Sequence, residues 1–141
     1  MQTKQKGFTI IELIVVIAII AVLATIVAIN VTSYIAKGKD ASIQGNLANI
    51  ITNAAVIFDA SNTYTGLCAK PTVKAAIDAI DTTIGGTAGA ATDCYATADA
   101  WAACAELISN TDQYYCVDST GTKKLVTGTC GAFTTMSVCP S

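Results

Sequence analysis

Between Ile10 and Ile29 the chain reads IIELIVVIAIIAVLATIVAI, twenty residues in which Glu12 is the one charge and Thr25 the one other polar side chain. As an α-helix rising 1.5 Å per residue this stretch spans about 30 Å, the thickness of a bilayer's hydrocarbon core. Nothing that apolar folds as an ordinary surface element; it needs lipid or a bundle of similar helices around it. A secretory signal peptide is the first competitor, but its apolar region is shorter and leads to a small-residue cleavage site. Here the run is longer and no A-x-A exit follows. Lys4 and Lys6 precede it, which predicts a cytoplasmic N-terminus and a chain that continues on the far side of the membrane.

The cysteines agree with that placement. All six, Cys68, Cys94, Cys104, Cys116, Cys130 and Cys139, lie beyond the apolar segment. None is spaced as CxxC and the chain has no His, so a structural zinc site is disfavoured. An even count in a small domain predicts up to three disulfides and an extracytoplasmic location; the competing reading is six buried thiols in a cytosolic domain. Six cysteines have fifteen pairings. The short separation of Cys130 and Cys139 favours that bridge, leaving Cys68 for Cys94, Cys104 or Cys116. Net charge is −2, every base is Lys, and the longest basic run is Lys123-Lys124, so there is no electrostatic footprint for nucleic acid.

Glu12 is the difficulty. A carboxylate within a membrane segment costs up to a few kcal/mol and usually has a partner. No Lys or Arg stands three or four positions from it. Either Glu12 lies at the interface and reaches headgroup water, or its partner belongs to another molecule.

The stretch Lys6-Gly7-Phe8-Thr9-Ile10-Ile11-Glu12-Leu13 closely resembles the processing motif of type IV pilins and pseudopilins. The resemblance is specific over residues 6 to about 29 and rests on general architecture beyond. It implies that a prepilin peptidase cuts between Gly7 and Phe8 and that Phe8 is N-methylated. It implies that Glu12 neutralises the Phe8 amine of a neighbouring copy in a helical homopolymer. An assembly ATPase and platform proteins are implied as further partners. So are residence in the cytoplasmic membrane before assembly and an extracellular filament afterwards. The expected organisation is a leader at 1–7, a membrane and filament-core helix at 8–30, its amphipathic continuation at 31–59 and a head at 60–141. Many members carry a proline two-thirds along the apolar segment, near the position of Ile29-Asn30. Here the only prolines are Pro71 and Pro140, so any unwinding is expected elsewhere, near Asn30 or Gly38.

Downstream, Ile43, Leu47, Ile50, Ala54 and Ile57 recur at spacings of 4, 3, 4 and 3, one apolar stripe on an amphipathic helix. Residues 9 to about 58 are therefore expected as one helix about 75 Å long, weakened locally by Gly38 and Gly45. Residues 60–70 read as loop and 71–80 as a short helix opened by Pro71. Residues 84–89 read as an exposed glycine-rich segment. Residues 101–107, 113–118 and 124–127 read as three short antiparallel strands lying on the stripe. The expected fold is α+β, a long N-terminal helix on a small antiparallel sheet with a disulfide-stapled head.

The residues offer no catalytic constellation: no His for a nucleophile's base, no HExxH, no GxSxG, no phosphate loop. Asp78, Asp81, Asp93 and Asp99 read as solvated surface, and no enzyme activity or cofactor is expected. Asp118-Ser119-Thr120-Gly121 has two readings, a β-turn or, by resemblance to calcium-binding pseudopilins, a calcium loop.

Overall fold

A computed structural model describes residues 7–86, 92–132 and 137–140 of the chain. The leader residues before Gly7 and the glycine-rich positions 87–89 lie outside that description. The chain divides into two units, Met1–Ile35 and Ala36–Ser141. The first contains the start of helix α1 (Ile10–Ser61), with its large apolar side chains exposed. Asn30, Gly38 and Gly45 all fall within α1, and a Cβ at either glycine would meet open space. Among the described residues α1 is long and apolar enough to cross a membrane.

The second unit is built on the later part of α1. Ile43, Leu47, Ile50 and Ala54 are essentially inaccessible and Ile57 packs beside them, so the 4-3-4-3 stripe is the helix's inner face. The helix runs a few residues past the expected end and stops at Asn62, a left-handed residue (φ 52°) whose N–H donates to the Phe58 carbonyl. Asparagine tolerates that conformation better than most side chains. A 3₁₀ turn at Leu67–Ala69 seats Leu67 in the core. Helix α2 (Pro71–Ile84) begins on Pro71, whose missing N–H costs nothing there. It ends on Gly85 at φ 81°, with the N–H groups of Gly85 and Gly86 donating to the Asp81 carbonyl.

Four strands follow, β1 (Thr92–Ala96), β2 (Trp101–Glu106), β3 (Gln113–Asp118) and β4 (Lys123–Thr127), an antiparallel meander in the order β1-β2-β3-β4. The architecture is α+β, as the periodicities predict, but with one strand more. β1 is the added one: in TDCYA the strand-favouring Thr92 and Tyr95 are offset by Asp93 and Ala96, and its strand state comes from pairing with β2, Thr92 opposite Ala105 through Ala96 opposite Trp101.

One face of the sheet, with Trp101, Ala103, Ala105 and Val117, packs on α1, α2 and Leu67. The other face, with Ala102, Cys104, Tyr114 and Cys116, is covered by Cys130 and Cys139 of the C-terminal segment. The central strand β2 is therefore buried on both sides, and alanines keep it thin enough for a layer above and below. Trp101 is buried edge-on to Tyr64, which stacks on Phe58.

Two sequence expectations need correction. Cys130 and Cys139 are not bonded to each other; the bridges are Cys68–Cys94, Cys104–Cys130 and Cys116–Cys139. The reason is the second sheet face: the C-terminal segment lies over it, bringing each of its cysteines to a strand cysteine. Asp81 is not solvated but buried (3% exposed), and among the described residues nothing hydrogen-bonds its carboxylate. It follows Ile80 and stands four positions after Ile77 and eight after Val73, which places it on the packed face of α2. Asp99 is exposed and Asp78 pairs with Lys74 at the surface, as expected of solvated carboxylates. Asp93 is half-buried and accepts from the Cys94 N–H.

Asp40 shows how the head is fastened to its helix. It is buried on α1, and its carboxylate accepts the N–H groups of Ile108 (2.7 Å) and Ser109 (3.2 Å) in the β2–β3 connection. Asp40→Ala leaves those donors without an acceptor and is expected to destabilise the head by about 1–3 kcal/mol. Asp40→Asn keeps one acceptor oxygen and is expected to lose less. Urea unfolding of both variants against the parent checks the order.

Candidate functional site

The expected processing site sits where α1 begins. Gly7, Phe8 and Thr9 are non-helical and exposed, and Ile10 is the first helical residue. Thr9 is the N-cap: its hydroxyl accepts the Glu12 N–H at 3.3 Å. Glu12 answers from the third helical position. Its Oε2 accepts both the Thr9 N–H and the Thr9 hydroxyl, each at 2.8 Å. This is a reciprocal capping box, Thr-x-x-Glu, which satisfies two of the orphan donors at a helix start. A carboxylate there also faces the positive end of the helix dipole.

Glu12 therefore has a partner within its own chain, where charge alone suggested none. Its sequence signal is Thr9-Ile10-Ile11-Glu12, a threonine three positions before a glutamate at the start of an apolar run. Both bonds go to Oε2; no hydrogen bond among the described residues reaches Oε1. The cap uses one oxygen of an exposed carboxylate. Phe8 precedes the cap, and its side chain is 77% exposed. A cut after Gly7 would put a new amine one residue from the Thr9 N–H that Glu12 already holds. The cap thus places the carboxylate and the expected cleavage point at the same end of the helix.

Around this point the surface is apolar. Ile10, Ile11, Leu13, Ile14, Ile17, Ile20 and Leu23 are each more than half exposed, and they point in all directions around α1. A contiguous apolar surface of that extent marks contact with a membrane or with other protein.

The six cysteines, by contrast, are all in the head, and every one is bridged: Cα–Cα separations are 5.9 Å for Cys68–Cys94, 5.7 Å for Cys104–Cys130 and 5.9 Å for Cys116–Cys139. Cys68–Cys94 ties the turn after α1 to the edge strand β1. The other two tie the C-terminal segment to β2 and β3.

Asp118 lies at the end of β3, buried, in the turn that the sequence also allowed as a calcium loop. Its Oδ1 accepts the Thr120 N–H (2.9 Å), the Thr120 hydroxyl (2.6 Å) and the Thr122 N–H (3.2 Å). Its Oδ2 accepts the Cys139 N–H at 2.9 Å. The carboxylate organises its own turn and pins the C-terminal segment. Burial by itself pushes the Asp118 carboxyl up, but the Thr120 hydroxyl and the N–H groups of Cys139, Thr122 and Thr120 together outweigh it and hold the group below its ordinary value.

The sign follows: with a folded-state pKa below the unfolded one, Asp118 contributes stability that is complete above the unfolded value near pH 4 and is lost as pH falls through the folded value. Head stability is expected to drop below about pH 4, and Asp118→Asn is expected to flatten that drop. Thermal unfolding between pH 2.5 and 6 measures it.

Residues 2–28 match the prokaryotic N-terminal methylation motif. The chain has no significant match among curated proteins or among solved structures. The matched segment spans Gly7, Phe8, Thr9 and Glu12 and the apolar start of α1, and it supports a type IV pilin-like or pseudopilin protein carrying a class III signal peptide, anchored in a membrane by its N-terminal helix.

Proposed function

We propose that the protein is a structural, non-catalytic subunit of a type IV pilus. It is inserted in the cytoplasmic membrane by α1 and cut by a prepilin peptidase between Gly7 and Phe8. It is then methylated on Phe8 and polymerised with identical copies into a surface filament for adhesion, twitching motility or DNA uptake. An assembly ATPase and platform proteins follow from the resemblance to the family.

The observation that carries this reading is the start of α1. A half-used carboxylate sits at the expected cleavage point, on a helix whose apolar side chains are exposed on every side. In lipid that surface is solvated; in a filament it is buried against neighbouring copies. A buried carboxylate and a buried amine each carry a desolvation cost that is offset only when they meet. Oε1 of Glu12 is the acceptor such a pairing requires. A cleaved subunit entering out of register would leave both charges unpaired, so the pair acts on register more than on stability.

A pseudopilin in a short piston-like fibre uses the same N-terminal device. The disulfide-stapled head favours the pilus, because bridges protect a domain that is exposed outside the cell. Electron microscopy of material sheared from cells expressing the protein, with immunogold against the head, tests the choice. Long labelled filaments are expected. Labelled protein confined to the envelope, with Phe8 methylated, would point to the pseudopilus; protein retaining Met1 would point to a single-pass anchor that never polymerises.

A further inference from the structure

Cys104 and Cys116 stand directly opposite each other on β2 and β3. Both are completely buried on the sheet face that carries Cys130 and Cys139. Opposed residues of an antiparallel pair have Cα atoms about 4.5–5.5 Å apart. That lies inside the range of about 4.4–6.8 Å that disulfides adopt. The sheet as built therefore accommodates a Cys104–Cys116 bridge with no shift of strand. Yet the native bridges cross over, 104 to 130 and 116 to 139.

The crossed pairing is the slower one to form. Cys104 and Cys116 are twelve positions apart and Cys130 and Cys139 are nine apart, against 26 and 23 for the native bridges. Loop-closure scaling favours each short loop by roughly three- to four-fold. Translocation from the N-terminus adds to this, because Cys104 and Cys116 emerge before either partner in the tail. Consecutive oxidation gives 68–94, 104–116 and 130–139, correct for the first bridge and wrong for the other two.

We propose that the head acquires its native bridges through a thiol–disulfide isomerase in the compartment where it folds, a partner that supplies one nucleophilic thiolate. This rests on the reading that the head is exported. The isomerase thiolate attacks Cys104 of the 104–116 bridge, forming a mixed disulfide and releasing the Cys116 thiolate. Cys116 attacks Cys139 of the 130–139 bridge and releases the Cys130 thiolate. Cys130 attacks the mixed disulfide at Cys104 and returns the isomerase thiolate. Two disulfides enter and two leave, with no net oxidant or reductant. The exchange is drawn forward by the tail's docking on the sheet, with Cys130 and Cys139 buried and the Cys139 N–H on Asp118.

Trypsin reads the outcome, because Lys123 and Lys124 separate the strand cysteines from the tail. Native bridges hold peptide 125–141 on the peptide that contains Cys104 and Cys116; the consecutive isomer releases it with an internal bridge. The full-length chain, reduced in urea and detergent micelles, is oxidised with dithiodipyridine alone or with a glutathione couple and a thiol–disulfide isomerase, then digested and weighed. The released, internally bridged peptide is expected to exceed the linked form several-fold with oxidant alone. It is expected to convert to the linked form when isomerase and glutathione are added.

Linked peptide predominating under oxidant alone overturns the proposal, as does a released form that isomerase fails to convert. A Cys130→Ser/Cys139→Ser chain is expected to form the Cys104–Cys116 bridge, and free thiols at both positions would remove the geometric premise. Six free thiols in protein purified from cells would instead count against export, leaving the exchange measurement to stand separately.

Discussion

A Glu12→Gln chain is expected to insert, to be cut after Gly7, and to yield almost no filament. Glutamine at the third helical position still accepts from the Thr9 N–H and hydroxyl, so the capping box of α1 survives the change. What disappears is the charge. In the proposed filament that leaves a neighbour's amine buried without a counter-ion, a loss of about 3–5 kcal/mol per contact. At 1.36 kcal/mol per tenfold that is more than a hundred-fold in subunit addition.

Thr9→Val is the complementary change: it removes the threonine hydroxyl from the cap but leaves the Glu12 charge, and its loss of about 1 kcal/mol is expected to reduce filament yield only several-fold. Mass spectrometry of the N-terminal peptide verifies processing, and quantitation of sheared filaments gives the yield. Wild-type yield from Glu12→Gln would mean that a neutral hydrogen-bonding side chain suffices, and the charge pair would have to be abandoned.

The two changes also show where the sequence could be read and where it could not. Period carried the fold: the stripe Ile43, Leu47, Ile50, Ala54, Ile57 predicted the inner face of α1, and the tyrosine- and valine-bearing stretch 113–118 predicted β3. Both signals are local, so one chain contains them entirely. β1 was illegible because in TDCYA Asp93 and Ala96 offset Thr92 and Tyr95; its state is imposed by β2 across the sheet.

The bridges were illegible for a related reason. Proximity in sequence favoured Cys130–Cys139, while the actual partners are chosen by the tail lying over the β2–β3 face. Asp40 and Asp118 look like any surface carboxylate in the sequence; only the fold brings backbone donors to them. At the candidate site the sequence singles out Glu12 by its charge, and the structure adds what surrounds it. The absence of a cation near Glu12 is visible in the sequence; the use of the carboxylate by the threonine three positions earlier depends on the helix starting at Ile10.

The C-terminal staple supplies the second large effect. Cys116→Ser/Cys139→Ser is expected to destabilise the head by about 3 kcal/mol on loop entropy for a separation of 23 residues. For a domain of this size that is a fall in midpoint of roughly 10 °C or more. The loss is not confined to the covalent bond. With Cys139 untethered, its N–H leaves the Asp118 carboxylate, one of the bonds that hold that group ionised. The acid-induced drop in stability assigned to Asp118 is therefore expected to shrink in the same variant, although Asp118 itself is untouched.

Cys68→Ser/Cys94→Ser is the comparison: the Cys68–Cys94 bridge it removes closes a loop of similar size, 26 residues, and contributes about equally in loop entropy. It joins the edge strand to the turn after α1, on the side of the sheet away from Asp118, and should leave the pH profile alone. Thermal unfolding of both double variants from pH 2.5 to 6 separates the cases. Equal pH profiles in the two would mean that the tail stays docked without its bridge, and that the second sheet face is held by apolar packing instead of by the staple.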